Sequence, residues 1–190
     1  MPIKHGTKYF MSLFCISLGK DLPPLFVPDY EHPRYSQRCH VDTDSNAVNP
    51  AWVELLEEHG LLFERLELFY GPADTPYTLG IHIDNGPGDR GKINWVFGGK
   101  GCTMHWYRIT NNLPKAMLET PVGSKYNIYD PTEVQLLHTT TIKSPSLVQV
   151  GIPHNIVNPG EERWCYSMVV TDPATDDNVT FGRLKKIFGK

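Results

Sequence analysis

The chain has little of what marks several common protein classes. Its four cysteines, Cys15, Cys39, Cys102 and Cys165, are scattered and form no CxxC pair, which argues against a disulfide scaffold. No apolar run reaches the roughly 18 residues that a membrane helix needs. Neither sign of charge is in large excess, because 18 Lys and Arg residues nearly balance 21 Asp and Glu residues. We therefore expect reduced thiols in a cytoplasmic protein with neither a nucleic-acid nor a membrane partner.

The N-terminus carries a weak secretory pattern. Lys4 and Lys8 precede an apolar stretch at 10–18, but the residues that follow, 19–21, supply no small-x-small cleavage site. We expect this stretch to pack as an N-terminal strand.

The length of 190 residues suits a single domain that buries about 70% of its unfolded surface. Residues 1–48 form a loop-rich, proline-rich extension, residues 49–171 the core, and residues 172–190 a tail. One helix is expected after Asn49, with Asn49 as its cap, Pro50 at its first position and Gly60 at its end. The tail at 181–190 interleaves basic and aromatic residues, which predicts a docked amphipathic helix or a frayed end, with membrane or nucleic-acid contact as the alternative.

The core reads as a series of short strands separated by Gly and Pro turns, with loops at 85–91 and 111–130. This pattern is typical of an antiparallel sandwich or barrel, so the fold class is mainly β. The predicted strands cover 61–70, 77–84, 92–97, 103–110, 134–142, 147–157 and 163–171.

The sequence HID contains a candidate metal site. Residues two apart on a strand face the same side, so His82 and Asp84 project together while Ile81 and Ile83 face the other way. An imidazole and a carboxylate, joined by a second histidine, form the facial triad of non-haem Fe(II) oxygenases. His154, on a later strand, is the favoured second histidine.

Two other histidines compete for the same role. His105 shares a strand face with Thr103 and Tyr107, and is the less favoured choice for the second imidazole. His40 and Asp42 form a rival HxD, which we interpret as a capped loop because no alternating apolar residues frame it.

Arg163 follows His154 by nine residues, beyond a predicted hairpin turn at 158–162. If the flanking strands pair, its guanidinium lies a few residues along from His154, where its fork suits bidentate capture of a carboxylate. The alternative is a surface pair with Glu161 or Glu162, which would contribute little. Asn94 lies in the middle of a strand, where a polar side chain needs a partner, and this suggests a pocket role.

Taken together, the segments IHID, KINWVF, TMHWY and VGIPHNIVNPGEERWCYSMVV resemble the superfamily of 2-oxoglutarate- and Fe(II)-dependent oxygenases. The resemblance covers roughly 49–171, and is closest to the small aspartyl/asparaginyl-hydroxylase-like and phage-encoded members. The shared pattern is an HxD, a strand with a central Asn, a His after Pro, and an Arg nine to ten residues later. One departure is that the hydroxylases of that subgroup often lack the carboxylate ligand, which is present here as Asp84.

The resemblance implies a double-stranded β-helix, a cupin-like jelly roll, with one or more short flanking helices. It implies that His82, Asp84 and His154 bind Fe(II), and that Arg163 binds the distal carboxylate of the cosubstrate 2-oxoglutarate. Asn94 and Tyr107 are expected to assist in binding this cosubstrate.

The expected activity is therefore hydroxylation of a small molecule, an amino acid or a protein side chain. Two other classes remain open from the sequence. One is a non-catalytic cupin-like jelly roll that binds a metal or a ligand, and the other is a structural jelly roll.

Overall fold

The computed structural model describes residues 13–19, 21–84, 88–111, 114–175 and 177–189. The basic residues expected to precede the first strand, Lys4 and Lys8, and parts of the predicted loops, 85–87 and 112–113, lie outside these ranges. Strands make up 45% of the residues that the structure describes, so the mainly β prediction is confirmed. Within the described ranges there are two short α-helices, α1 (Pro50–Glu58) and α2 (Phe181–Phe188). Neither helix is long and apolar enough to cross a membrane.

The described strands, in chain order, are β1 (Cys15–Ser17), β2 (Cys39–Thr43), β3 (Leu62–Gly71), β4 (Tyr77–Thr78), β5 (His82–Asp84), β6 (Gly91–Gly98), β7 (Thr103–Ile109), β8 (Ala116–Glu119), β9 (Lys125–Ile128), β10 (Val134–Thr140), β11 (Ser146–Gln149), β12 (His154–Asn158), β13 (Arg163–Asp172) and β14 (Asp177–Asn178). They form two antiparallel sheets. The first has the order β1-β11-β6-β13-β3-β2, with β14 paired to β13, and the second has the order β10-β7-β12-β5-β9-β8, with β4 paired to β12.

The main hydrophobic core covers the outer face of the first sheet. Trp52 and Leu56 of α1 and Leu184 of α2 are fully buried there. Residues of the predicted extension join this core, since the indole of Trp52 donates to the carbonyl of Pro23 (3.1 Å) and that of Trp164 to the carbonyl of Pro33 (2.7 Å). The extension therefore packs against the outer face of the first sheet. The inner face of that sheet remains available to line a cavity.

Both helices follow local sequence signals. The side chain of Asn49 accepts a hydrogen bond from the Ala51 amide (3.1 Å), and Pro50 opens α1 as predicted. In α2, Phe181, Leu184 and Phe188 recur at helical spacing and are all buried. The docked amphipathic helix expected for the tail is confirmed.

The predicted strand at 147–157 is wrong as a single element, because its two halves, β11 and β12, belong to different sheets. The break falls at Gly151 and Pro153. A Cβ on Gly151 would overlap the backbone oxygen of Gly88, and a proline has no amide hydrogen to continue a ladder. The chain therefore turns a corner just before His154.

The predicted hairpin between His154 and Arg163 is also wrong. β12 pairs with β4, β5 and β7, whereas β13 pairs with β3, β6 and β14. The turn after β12 thus carries the chain from one sheet to the other. Strand signals were missed elsewhere: the predicted loop at 111–130 contains β8 and β9, the extension contains β2, and the predicted strand at 77–84 is divided into β4 and β5.

Candidate metal centre

A cavity of about 700 Å³ lies between the two sheets. Side chains from both sheets line it. His82, Asp84 and His154 come from the second sheet, whereas Lys92 and Arg163 come from the first. The cavity therefore combines residues from strands that are far apart in the sequence.

The structure brings the three predicted metal ligands together. His82 and His154 are register partners on the adjacent strands β5 and β12, and their ring centroids lie 4.4 Å apart. Nε2 of His82 lies 3.5 Å from Oδ1 of Asp84. One ligand atom from each of the three residues lies within 4.8 Å of the others. Ile81 and Ile83 are buried in a separate cluster with Tyr129, consistent with the predicted alternation.

Hydrogen bonds to the backbone orient both imidazoles. Nδ1 of His82 donates to the carbonyl oxygen of Gly80 (2.7 Å), and Nδ1 of His154 donates to that of Ile152 (2.9 Å). Because a carbonyl oxygen only accepts, Nδ1 must carry the proton in each ring. When either ring is neutral, its Nε2 therefore keeps the lone pair, which is the tautomer that a metal ligand needs.

The protonation states also suit a metal. Burial lowers the pKa of His154 to about 4, and the neighbouring His82 adds to this effect. Burial alone would raise the pKa of Asp84, but Lys92 and the two imidazoles outweigh it and lower that pKa to about 2. Near neutral pH, His154 is therefore a neutral donor and Asp84 an anionic one.

Two imidazoles and one carboxylate form a donor set suited to a first-row transition ion. Donor atoms bound to one such ion at about 2.0–2.2 Å stand up to about 4.4 Å apart. The ligand atoms found here lie within 4.8 Å of one another, so the side chains must move closer together for all three donors to bind one ion. The set fits a metal and does not by itself specify which one.

Arg163 lies at the start of β13 and reaches the cavity while being only 4% exposed. Its register partners on the two neighbouring strands are Gly71 and Gly98, so no side chain covers it from those positions. Across the described ranges, no carboxylate lies within 4.0 Å of its guanidinium. A buried cation without an anionic partner is costly, which indicates an anionic ligand.

The surface ion pair considered for Arg163 is not formed. Glu162 instead pairs with Arg34 (3.3 Å) and accepts a hydrogen bond from the hydroxyl of Tyr70 (3.0 Å). Glu161 forms no ion pair with Arg163 within the described chain. Arg163 is therefore directed inward, where the sequence analysis had expected a cosubstrate anchor.

The other two residues predicted to bind the cosubstrate, Asn94 and Tyr107, differ in their position relative to the cavity. Asn94 is 8% exposed and lines the cavity, and its Oδ1 has no hydrogen-bond partner. Tyr107 is not among the cavity-lining residues. It packs with the Ile81 and Ile83 cluster, and its hydroxyl donates to Oδ1 of Asn155 (3.2 Å). This position does not support the cosubstrate contact expected for Tyr107.

Neither of the two competing histidines belongs to the donor set. His105 bonds to Thr103 (2.9 Å) and Tyr107 (3.3 Å), which share its strand face as predicted. The capped loop expected for His40 and Asp42 is wrong, because both residues lie in strand β2. His40 lies at the cavity wall, stacked on Phe69 with ring centroids 4.0 Å apart.

Sequence reasoning missed the ionic network behind Asp84. The ammonium of Lys92 lies 3.2 Å from Oδ2 of Asp84 and 2.9 Å from Oε2 of Glu67. A signal was available, because Lys92 lies two residues before Asn94 and therefore shares its strand face. Glu67 gave no comparable signal, because Glu64 and Arg65 already place charges on both faces of its strand.

No protein-family model matches the chain, and no curated protein is significantly similar to it. Function is therefore inferred from the donor set, the cavity and the charges around them.

Proposed function

We propose that the chain is a 2-oxoglutarate- and Fe(II)-dependent oxygenase that hydroxylates a small molecule, an amino acid or a protein side chain. One observation carries the proposal: a single cavity is lined by the three donors His82, Asp84 and His154 and by the buried guanidinium of Arg163, which has no carboxylate partner among the described residues. A ligand that chelates a metal at one end and carries a carboxylate at the other satisfies both features.

The strand order supports a jelly roll as the framework of this proposal. β3, β5, β6, β7, β10, β11, β12 and β13 can be counted one to eight along the chain. The first then pairs with the eighth, the second with the seventh, the third with the sixth and the fourth with the fifth. This nested pairing is what a long hairpin produces when it is rolled into two sheets.

In the proposed site each residue has a separate task. His82 and His154 offer Nε2 to the iron and Asp84 offers one oxygen, while Arg163 receives the distal carboxylate of 2-oxoglutarate in a bidentate ion pair. When bound, the iron and its cosubstrate supply the oxidation, in which one oxygen atom of O₂ enters succinate, the other enters the product, and CO₂ leaves. The surrounding sheets orient the ligand and limit access of water.

Charge balance supports this assignment of roles. The dianion of 2-oxoglutarate and the carboxylate of Asp84 carry three negative charges. Fe(II) and Arg163 carry three positive charges, so the loaded site is neutral. The remaining buried pair, Lys92 and Glu67, is neutral by itself. Balanced charges are what a cavity of low polarity requires.

The first test is calorimetric titration of 2-oxoglutarate into protein loaded with Mn(II), which binds the same ligands without turnover. We expect wild-type protein to bind 2-oxoglutarate and Arg163→Met to bind it about 10- to 100-fold more weakly, because charge-assisted hydrogen bonds are lost. Mn(II) affinity should not change, since Arg163 is not a donor to the metal. The matched control is Arg108→Met, which removes an exposed arginine of β7.

The second test is succinate formation with Fe(II), ascorbate, O₂ and 2-oxoglutarate, including a panel of candidate substrates. Failure of the Mn(II)-loaded protein to bind 2-oxoglutarate would contradict the oxygenase. Metal binding without cosubstrate binding would favour the non-catalytic cupin-like alternative. Absence of metal binding would favour a structural jelly roll.

A further inference from the structure

Lys92 lies between a proposed metal ligand and a second buried carboxylate. It is 7% exposed, and its ammonium contacts Oδ2 of Asp84 at 3.2 Å and Oε2 of Glu67 at 2.9 Å. A lysine that only balanced one charge would need a single carboxylate. The second contact restricts where the ammonium can be.

Glu67 is itself held in place. It is fully buried, and its other oxygen, Oε1, accepts hydrogen bonds from Arg65 (2.9 Å) and from the hydroxyl of Ser124 (2.8 Å). Both oxygens of Glu67 are therefore engaged. These contacts restrain the rotation of the carboxylate, so Glu67 supports the ammonium of Lys92 in one position.

This arrangement distinguishes the two oxygens of Asp84. Oδ2 is engaged by Lys92, whereas Oδ1 points toward Nε2 of His82 at 3.5 Å. Oδ1 is thus the oxygen that lies next to a second donor. Contacts of this kind behind a ligand are known to orient it and to tune the metal.

The number of oxygens that Asp84 contributes affects the proposed chemistry. A six-coordinate ion with two imidazoles and one carboxylate oxygen keeps three open positions. A chelating 2-oxo acid takes two of them and leaves one. If both oxygens of Asp84 bound the ion, only two positions would remain, and the chelating acid would fill them.

We propose that Lys92, supported by Glu67, is a positioning residue that restricts Asp84 to coordination through one oxygen. The inference rests on the proposed function, since it concerns the same metal centre. It assigns the buried ion pair a role that stability alone does not explain, because such pairs contribute little compared with apolar residues of similar volume.

The test uses Lys92→Met, which keeps most of the length of the side chain and removes the ammonium and its charge. We expect Mn(II) to bind as tightly as in wild type or more tightly, because Oδ2 becomes free to join Oδ1. Affinity of the Mn(II)-loaded protein for 2-oxoglutarate should fall, because the second oxygen of Asp84 would occupy a position that the chelating acid needs, and we expect a loss of about 10- to 100-fold, the size that such contacts have for activity. The absorption spectrum of the Co(II)-loaded protein should differ from that of wild type before any 2-oxoglutarate is added.

Three further variants complete the design. Lys92→Arg keeps a cation beside Oδ2 and should retain 2-oxoglutarate affinity closer to that of wild type. Lys92→Met combined with Glu67→Gln removes both charges of the Lys92–Glu67 pair, so no unpaired carboxylate is left at Glu67. We use this double variant for the same measurements if the single variant does not fold. Lys143→Met, which replaces an exposed lysine, is the matched control.

The possible results distinguish failure of the role proposed for Lys92 from failure of the proposed function. An unchanged Co(II) spectrum and unchanged 2-oxoglutarate affinity in a folded variant would overturn the role of Lys92 alone. Equal loss of metal and of 2-oxoglutarate affinity would also overturn it, because that pattern marks a general disturbance of the site. If the wild-type protein binds neither Co(II) nor Mn(II), the proposed function falls together with this inference.

Discussion

At the level of single residues, the buried charges comprise one connected network and one cation that lies outside it. Asp84 contacts Lys92, and Lys92 contacts Glu67, which also binds Arg65. Arg163 is equally buried but faces the cavity without a carboxylate partner among the described residues. This difference is why Arg163 is assigned to ligand binding and Lys92 to positioning.

The first prediction at this scale concerns acid stability. Burial alone would raise the pKa of Glu67, but His40, Lys92 and Ser124 outweigh it and hold that pKa well below its usual range. As the pH falls below about 4.5, the unfolded chain takes up a proton that the folded chain does not. The free energy of unfolding should therefore decrease as the pH falls.

Urea unfolding measured at several pH values between 3 and 6 tests this expectation. Glu67→Gln cannot titrate, so the decrease in its unfolding free energy over that range should be smaller than in wild type. Glu57→Gln is a suitable control, because this residue is exposed on α1. Parallel pH profiles for wild type and Glu67→Gln would contradict the prediction.

At the level of elements, the site depends on how strands end and turn. The break around Gly151 places His154 at the first position of β12, directly opposite His82 on β5. β6 carries Lys92 and Asn94 into the cavity, while its outer face packs against the helices. Gly91, at the start of β6, allows this contact, since a Cβ there would lie 2.8 Å from the Cα of Phe181.

We predict that Leu184→Ala destabilises the protein by about 2–5 kcal/mol. Leu184 is fully buried between α2 and the first sheet, and its removal leaves a cavity. Thermal or urea unfolding measures the change. The exposed Lys186→Ala on the same helix should have little effect, and the folded Leu184→Ala protein should bind Mn(II) as wild type does. A loss below about 0.5 kcal/mol would show that α2 is not docked as described.

For the molecule as a whole, the donors join distant parts of the chain into one site. His82 and Asp84 come from β5, whereas His154 comes from β12. The second sheet must therefore be assembled before all three meet. A metal that binds only the folded state raises the free energy of unfolding by an amount set by its concentration relative to Kd.

The prediction at this scale is that Mn(II) or Co(II) at about 100 times its Kd stabilises the protein by about 2.7 kcal/mol. Differential scanning fluorimetry should show a higher Tm with the metal and a return to the lower value after chelation. His82→Asn should abolish the shift, whereas His105→Asn should retain it, because His105 lies away from the donor set. An equal shift in the His82→Asn variant would place the metal elsewhere.

Much of the local structure and part of the site were predictable from the sequence. The cap at Asn49, the buried face of α2 and the shared direction of His82 and Asp84 all follow from residues within one turn or one strand. The grouping of His154 with them was expected from residue type and is found in the structure. The cap, the buried helix face and the shared direction of His82 and Asp84 depend on neighbours in the chain, and periodicity describes the geometry of such neighbours well.

Tertiary structure alone decided the rest. It divided 147–157 between two sheets, directed Arg163 into the cavity from the first sheet, and placed Lys92 against both Asp84 and Glu67. It also placed Tyr107 outside the lining of the cavity. Such relations depend on the register of strands that are distant in the sequence, and on which face of each sheet the cavity occupies. Neither is encoded in the local alternation of residues, because a strand alternates in the same way whichever partner it has.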